Sequence, residues 1–324
     1  MPDHALPPPS PSITDAGGAL HWVDRPGGVR LRAAHWPGSG RGTVLLLNGR
    51  TEFMERWHET VADLRHRGFA VWSLDWRGQG GSSRLLPDGS VNHVPDFNDH
   101  LGDLDALLDG HILPGRQGRP QAAPGPLVLL GHSMGGHLGA RALARRPELF
   151  ARAVLTAPMI GVRRPPGVPQ PLLRGLVRLA CLRPGLHARF APGTPRAPDL
   201  QRPVERSVLT SCAERHAADQ ALQRGNPHLV TGGASWGWLR AAMDSIALLQ
   251  RPATAARITA PVLVLLAGAD TLVDNAAARR WAQRLPHGEV VELPGARHEL
   301  LREHDRHRVQ AWVAVDRFLK PVRG

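Results

Sequence analysis

Ser133 stands in Gly131-His132-Ser133-Met134-Gly135, a G-x-S-x-G pattern, and a serine so placed can attack a carbonyl carbon. The apolar run before it, Leu127 to Leu130, reads as a buried strand; the segment after it, His137 to Arg146, reads as a helix ended by Pro147. A strand and a helix nearly touching across a sharp turn leave no room for side chains beside the nucleophile, hence the flanking glycines. A serine hydroxyl is a weak nucleophile until a base takes its proton, and the base needs an acid to orient it. Around such an elbow the chain order is Ser, then Asp or Glu, then His. Val262-Leu-Val-Leu-Leu-Ala-Gly-Ala-Asp270 supplies the acid on the loop after a late strand, with Asp274 as its competitor. Asp270 is favoured because Asp274 lies where the next helix begins and can cap it. Leu293-Pro-Gly-Ala-Arg-His298 supplies the base, and position alone singles out His298 among 17 histidines. His111, His132 and His137 read as packing or surface residues, and His304 and His307 as solvated helix positions. The remaining requirement is two backbone N–H groups for the developing oxyanion. Met134, after the nucleophile, supplies one; Arg50, in the Asn48-Gly49-Arg50 loop after an early strand, supplies the other.

The elements that must hold these groups alternate. Ala19–Val23 and Val29–Trp36 suggest an opening hairpin around Pro26-Gly27-Gly28. Thr43–Leu47 is a buried strand, and Phe53, Trp57, Val61 and Leu64 recur at helical spacing, predicting a helix over Thr51–Arg67. Phe69–Leu74 is the next strand, and Leu101, Leu104, Leu107 and Leu108 mark a helix. Ala153–Thr156, Val262–Leu266 and Glu289–Leu293 are further strands; Trp238–Leu249 is a helix, and Val309, Trp312, Val313 and Val315 suit a closing one. Strand–helix alternation implies a mostly parallel sheet covered on both faces. Periodicity fails between Met159 and about Trp236, a stretch rich in Pro and Arg that is too long for a structureless loop and reads as an inserted cap. Asp75, after a central strand, is expected to hold the Arg77–Ser82 turn, and Trp236 and Trp238 to pack within the cap.

Composition narrows the class. With 324 residues and 42% hydrophobic content, the chain suits one large α/β domain with an insertion, or two small domains. No apolar run is long enough to span a bilayer and no signal peptide is evident, while Cys181 and Cys212 show no metal-site spacing, so a reduced, cytoplasmic setting is expected. The formal charge of +12 invites a nucleic-acid reading. It is declined, because Lys320 is the only lysine and the arginines lack a clustered, aromatic-interleaved pattern. Between Met159 and Arg240, however, arginines outnumber Asp199, Glu205, Glu214 and Asp219.

Taken together, these motifs resemble the α/β-hydrolase superfamily, in the branch of monoacylglycerol lipases and bacterial lysophospholipase L2. Gly131-His-Ser-Met-Gly-Gly136 matches its nucleophile elbow, and Asp75-Trp-Arg-Gly-Gln-Gly-Gly-Ser82 is similar to its Asp-x-Arg-Gly-x-Gly-x-Ser turn. Asn48-Gly-Arg-Thr-Glu52 resembles the Gly-Arg-x-Glu form of the lysophospholipases more than the His-Gly form of the glycerolipid lipases. Leu209-Thr-Ser-Cys-Ala-Glu-Arg215 and Gly232-Gly-Ala-Ser-Trp-Gly-Trp-Leu239 look like the late cap of the same proteins. The resemblance implies an α/β-hydrolase fold, with a core over 16–158, a cap over 159–237 and the rest of the core over 238–324; residues 1–15, rich in Pro, read from composition as a disordered tail. It further implies a serine esterase, with Ser133, His298 and Asp270 as triad and Arg50 and Met134 as oxyanion donors, needing no metal or organic cofactor. The implied substrate is a single-chain lipid ester, a lysophospholipid or a monoacylglycerol, met in part at the inner membrane surface; no signal for an oligomeric state is present. Positive charge from the cap arginines and Arg50 would favour anionic lysophospholipids, less so as salt rises. A small-ester, thioester or peptide hydrolase of the same fold is the alternative, and a non-catalytic binding protein on this scaffold the alternative of another class. Dehalogenase and epoxide chemistry would place Asp where Ser133 stands.

Overall fold

The computed structural model describes residues 12–114, 125–163 and 169–320. Among these, eight strands form one sheet: β1 (Ala19–Arg25), β2 (Val29–Trp36), β3 (Gly42–Leu47), β4 (Phe69–Leu74), β5 (Leu127–His132), β6 (Arg152–Thr156), β7 (Val262–Ala267) and β8 (Gly288–Leu293). Their spatial order is β1-β2-β4-β3-β5-β6-β7-β8. The β1–β2 and β2–β4 pairs are antiparallel and every later pair is parallel. The helices are α1 (His58–His66), α2 (Phe97–Leu107), α3 (Met134–Arg145), α4 (Gln170–Ala180), α5 (Ala213–Gly225), α6 (Trp236–Leu249), α7 (Pro252–Ala255), α8 (Asn275–Ala282) and α9 (Asp305–Phe318).

The central strands read as unbroken apolar runs because both sheet faces are covered. Val44, Leu46, Val128, Leu130, Leu263 and Leu265 pack with α1 and α9 on one face. Their alternates Leu45, Leu47, Leu127, Leu129, Val264 and Leu266 pack with α2, α3 and α6 on the other. Because β3, β5, β7 and β8 run in one direction, the loops at their carboxyl ends gather along one edge of the sheet, where ligands bind in folds of this kind.

Several expectations shift. Of the tail, residues 1–11 lie outside the described residues, but Ser12–Gly17 forms turns, and Ile13, 2% exposed, packs in the cluster that holds Trp36. An apolar side chain with a core slot fixes what composition suggested was loose. Helix formation after β3 begins only at Met54, as a 3-10 turn (Met54–Trp57) leading into α1. Thr51, at φ 61°, is not helical, and the Met54 N–H is taken by Asp75 Oδ1. The helix after the nucleophile starts at Met134 rather than His137, since the Ser133 carbonyl already accepts the His137 N–H. In α9, Val309 and Val313 face solvent, while Ala311, Trp312, Val315 and Phe318 are buried. His307 is 7% exposed, not solvated, because the first turn of α9 packs near the Gly295 turn.

Candidate active site

Ser133 sits at the β5–α3 junction with φ 52° and ψ −114°, a conformation L-residues rarely adopt. Close approach enforces it: a Cβ on Gly131 would lie 2.7 Å from the Gly135 carbonyl oxygen, and one on Gly135 would lie 2.2 Å from that of Leu47. Strand β3, strand β5 and helix α3 thus meet with no space for side chains. His298, carried on the loop after β8, brings Nε2 to 3.0 Å from Ser133 Oγ. Its Nδ1 lies 2.6 Å from Asp270 Oδ2, after β7. Asp270 Oδ1 accepts the N–H groups of Leu272 (2.7 Å) and Val273 (3.1 Å), so both carboxylate oxygens are engaged. Burial alone would raise the Asp270 pKa; the His298 contact and these two N–H groups outweigh it and hold the carboxyl below its ordinary value. Asp270 and His298 are 1% and 4% exposed, whereas Ser133 remains partly open. Asp274 stands apart from this relay and accepts the Ala277 N–H as N-cap of α8.

The loop after β3 lies against the elbow. Among the described residues the Arg50 N–H has no partner within the chain, while its neighbours are tied down: Gly49 N–H donates to Glu52 Oε2 (2.5 Å) and Thr51 N–H to Gln79 Oε1 (3.1 Å). Met134, first residue of α3, has no carbonyl a turn behind it to bond. Two donors are thereby left beside the serine.

The groups that fix this loop were missed by the sequence reading. Gln79 Nε2 donates to the carbonyls of Gly49 (2.8 Å) and Glu52 (3.0 Å), so the Asp75–Ser82 turn holds the β3 loop. Glu52 also accepts the Trp57 indole N–H (3.1 Å); burial pushes its carboxyl up to about 7, against the opposing pull of Arg56. The only sequence signal for either residue was its place in a motif. Asp75 is structural, accepting from Met54 N–H, Gly81 N–H and Arg32 Nε. His132 packs between Trp57 and His298, its Nδ1 is 3.1 Å from Thr156 Oγ1, and burial keeps it neutral. His137 bonds the Met159 carbonyl and Ser245 Oγ, and His111 lies against His21 and Trp72. Trp238 is buried against Phe97, and Trp236 gives its carbonyl to Cys181 Sγ.

The family model for serine aminopeptidase, S33, matches residues 38–305. The chain belongs to that family. Within it, the chain is similar to lysophospholipase L2 of Escherichia coli (strain K12), at 33% identity over 90% of this chain and 82% of the relative. It is also similar to a monoacylglycerol lipase of Mycolicibacterium smegmatis, at 28% identity over 87% and 91% of the two chains. The fold is that of a soluble variant of monoglyceride lipase from Saccharomyces cerevisiae, with TM-score 0.74 and 20% identity over 97% and 98% of the chains. The family and these neighbours are α/β-hydrolases, in agreement with the sheet described above.

Proposed function

We propose that this chain is a serine hydrolase that cleaves the acyl ester of a single-chain lipid, a lysophospholipid or a monoacylglycerol, through an acyl-enzyme. The observation that carries the reading is the continuous Asp270–His298–Ser133 relay, with bonds of 2.6 and 3.0 Å; the N–H groups of Arg50 and Met134, neither of them bonded to a described residue, serve as the oxyanion donors in this reading. Ser133 Oγ attacks the acyl carbonyl while His298 Nε2 takes its proton. Asp270 holds the imidazole tautomer and stabilises the imidazolium, and the two N–H groups receive the oxyanion. His298 returns the proton to the leaving alcohol; water, deprotonated by the same base, then releases the acid. The names of the relatives support the lipid ester.

The cap, over 159–237 in this reading, roofs the site and meets the lipid surface. Leu172, Leu176 and Leu179 lie at i, i+4 and i+7 of α4, each more than half exposed, while Val177 is buried beneath them. Such a stripe suits docking on a membrane, and among the described residues no helix is long and apolar enough to cross one. The description of the family favours a second reading, hydrolysis of a peptide bond at a free amino end. Assays on a lysophospholipid, a chain-matched monoacylglycerol and an aminoacyl p-nitroanilide separate the two. Turnover of the esters, lost in a folded Ser133→Ala variant, is expected; turnover of the anilide alone would replace the ester reading, and full activity in Ser133→Ala would remove the site.

A further inference from the structure

The strongly held arginines of this molecule come with acceptors. Arg32 meets Glu55 and Asp75, Arg56 and Arg302 share Asp219 and Glu299, and Arg77 grips Asp103. Arg141, which meets no carboxylate within ion-pair distance, still donates to Ser245 Oγ and Asn98 Oδ1. Arg50 departs from this pattern. Its side chain forms no hydrogen bond or ion pair with any described residue, and its Nη1 is sealed from solvent without an acceptor. The guanidinium rests on the Trp238 ring, 5.4 Å from the centroid. Burial also lowers its pKa, the sign of a cation held where its charge is uncompensated. Arg50 is half-buried rather than wholly enclosed, but leaving one edge of a guanidinium desolvated and unpaired is still costly, and an anion would supply the missing acceptor.

We propose that the Arg50 guanidinium is the receptor for a phosphate group on the lipid substrate, so that one residue reads the ester with its main-chain N–H and the headgroup with its side chain. The inference rests on the ester-hydrolase reading of the same site. In a 1-acyl lysophospholipid the ester oxygen and the phosphate oxygen are joined by the three glycerol carbons, a span that the side chain of a single arginine matches. A guanidinium offers paired N–H donors to two phosphate oxygens, and the Trp238 face leaves its edge free to do so. A monoacylglycerol puts a neutral hydroxyl there, which accepts a hydrogen bond but does not neutralise the charge. The cap arginines are a separate source of positive charge and are partly spent. Arg174 and Arg178 share Asp244, and Arg215 takes Glu59 and Asp305.

The test uses two uncleavable ethers, a 1-alkylglycerol 3-phosphate and the chain-matched 1-alkylglycerol. Both are measured below their critical micelle concentrations as competitive inhibitors of a small p-nitrophenyl ester. The phosphate ether is expected to inhibit the wild type about tenfold or more tightly than the glycerol ether, the range of a charge-assisted hydrogen bond. The ratio is expected to fall less with salt than one set by exposed arginines, since a half-buried cation is screened less than an exposed one. Arg50→Gln should bring the two inhibitors to about the same strength and Arg50→Lys should keep part of the gap, with melting curves reporting that each variant is folded. A gap that survives in folded Arg50→Gln, or that vanishes at 1 M salt in the wild type, overturns the assignment in favour of the exposed arginines. Inhibition by inorganic phosphate that equals the phosphate ether and depends on Arg50 would also overturn it, as a site for free phosphate. Absence of p-nitrophenyl ester turnover in the wild type, or its persistence in Ser133→Ala, defeats the ester reading instead.

Discussion

Asp270 and Asp274 are four positions apart, and the structure separates what each does. One carboxylate is shared between His298 and two backbone N–H groups; the other closes the first turn of α8. Asp270→Asn removes the acceptor that sets the imidazole tautomer, and kcat is expected to fall by on the order of 10⁴. Asp274→Asn keeps a capping oxygen and should change kcat little, while Asp274→Ala should cost about 1 kcal/mol of stability. Measuring kcat and unfolding for the three variants together tests this, and a crippled Asp274→Asn would move the acid to the other position. The meeting of Ser133, Asp270 and His298 was legible because a strand–turn–helix elbow marks the serine, and the chain order and the loops after two late strands mark the other two. Glu52 and Gln79 were not, because what they hold is a backbone loop, and any of many polar residues could have met it.

At the level of elements, the parallel strands were the most legible, since a run such as Val262–Leu266 has one stable home, a sheet covered on both sides. The 3-10 entry to α1 was not, because Asp75, far along the chain, replaces the carbonyl that an α-turn at Met54 would need. Helix α4 fell in the stretch without clear periodicity, yet its leucines form a stripe, with Arg174 and Arg178 pinning the helix to Asp244 of α6. Leu is worth about 1.5–3 kcal/mol when fully transferred out of water. Replacing Leu176 and Leu179 by serine should therefore weaken binding to lipid vesicles by about tenfold or more, with hydrolysis of a soluble ester retained. Vesicle sedimentation of the variant and the wild type is the measurement; equal binding would take the membrane out of the cap's role.

Across the whole molecule, α5 is joined to the loops after β3 and β8 by buried charge. Arg56, beside the β3 loop, donates to Asp219 of α5 and to Glu299, the residue after His298, and Arg302 bonds the same two acids. Burial opposes ionisation of Asp219, but the two arginines prevail and bring its pKa down to about 2 from an ordinary 3.8. A depressed carboxyl stabilises the fold fully above its unfolded pKa and ceases to as pH falls through the folded one. Asp219→Asn is expected to cost about 3–5 kcal/mol at neutral pH, by stranding part of the charge of Arg56 and Arg302. The deficit should narrow between pH 4 and about pH 2, where the wild type loses the same charge. Denaturant melts at several pH values check it, and a constant deficit would assign Asp219 a packing role alone. None of this was visible in the sequence, where Asp219 is one more acid on a polar helix.

That junction also orders events in time. Arg56 and Glu299 meet across 243 residues, and Ser133 awaits a base 165 residues downstream. On a ribosome the chain emerges from its N-terminal end, so β3, the β5–α3 turn and α5 are all made before the loop after β8 exists. Until that loop arrives, Ser133 lacks its His298 partner and Asp219 of α5 lacks Arg302, one of the two arginines that hold it. The nascent chain therefore carries Ser133 without its His298 partner until the loop after β8 has been made, and the same loop brings Arg302 to Asp219.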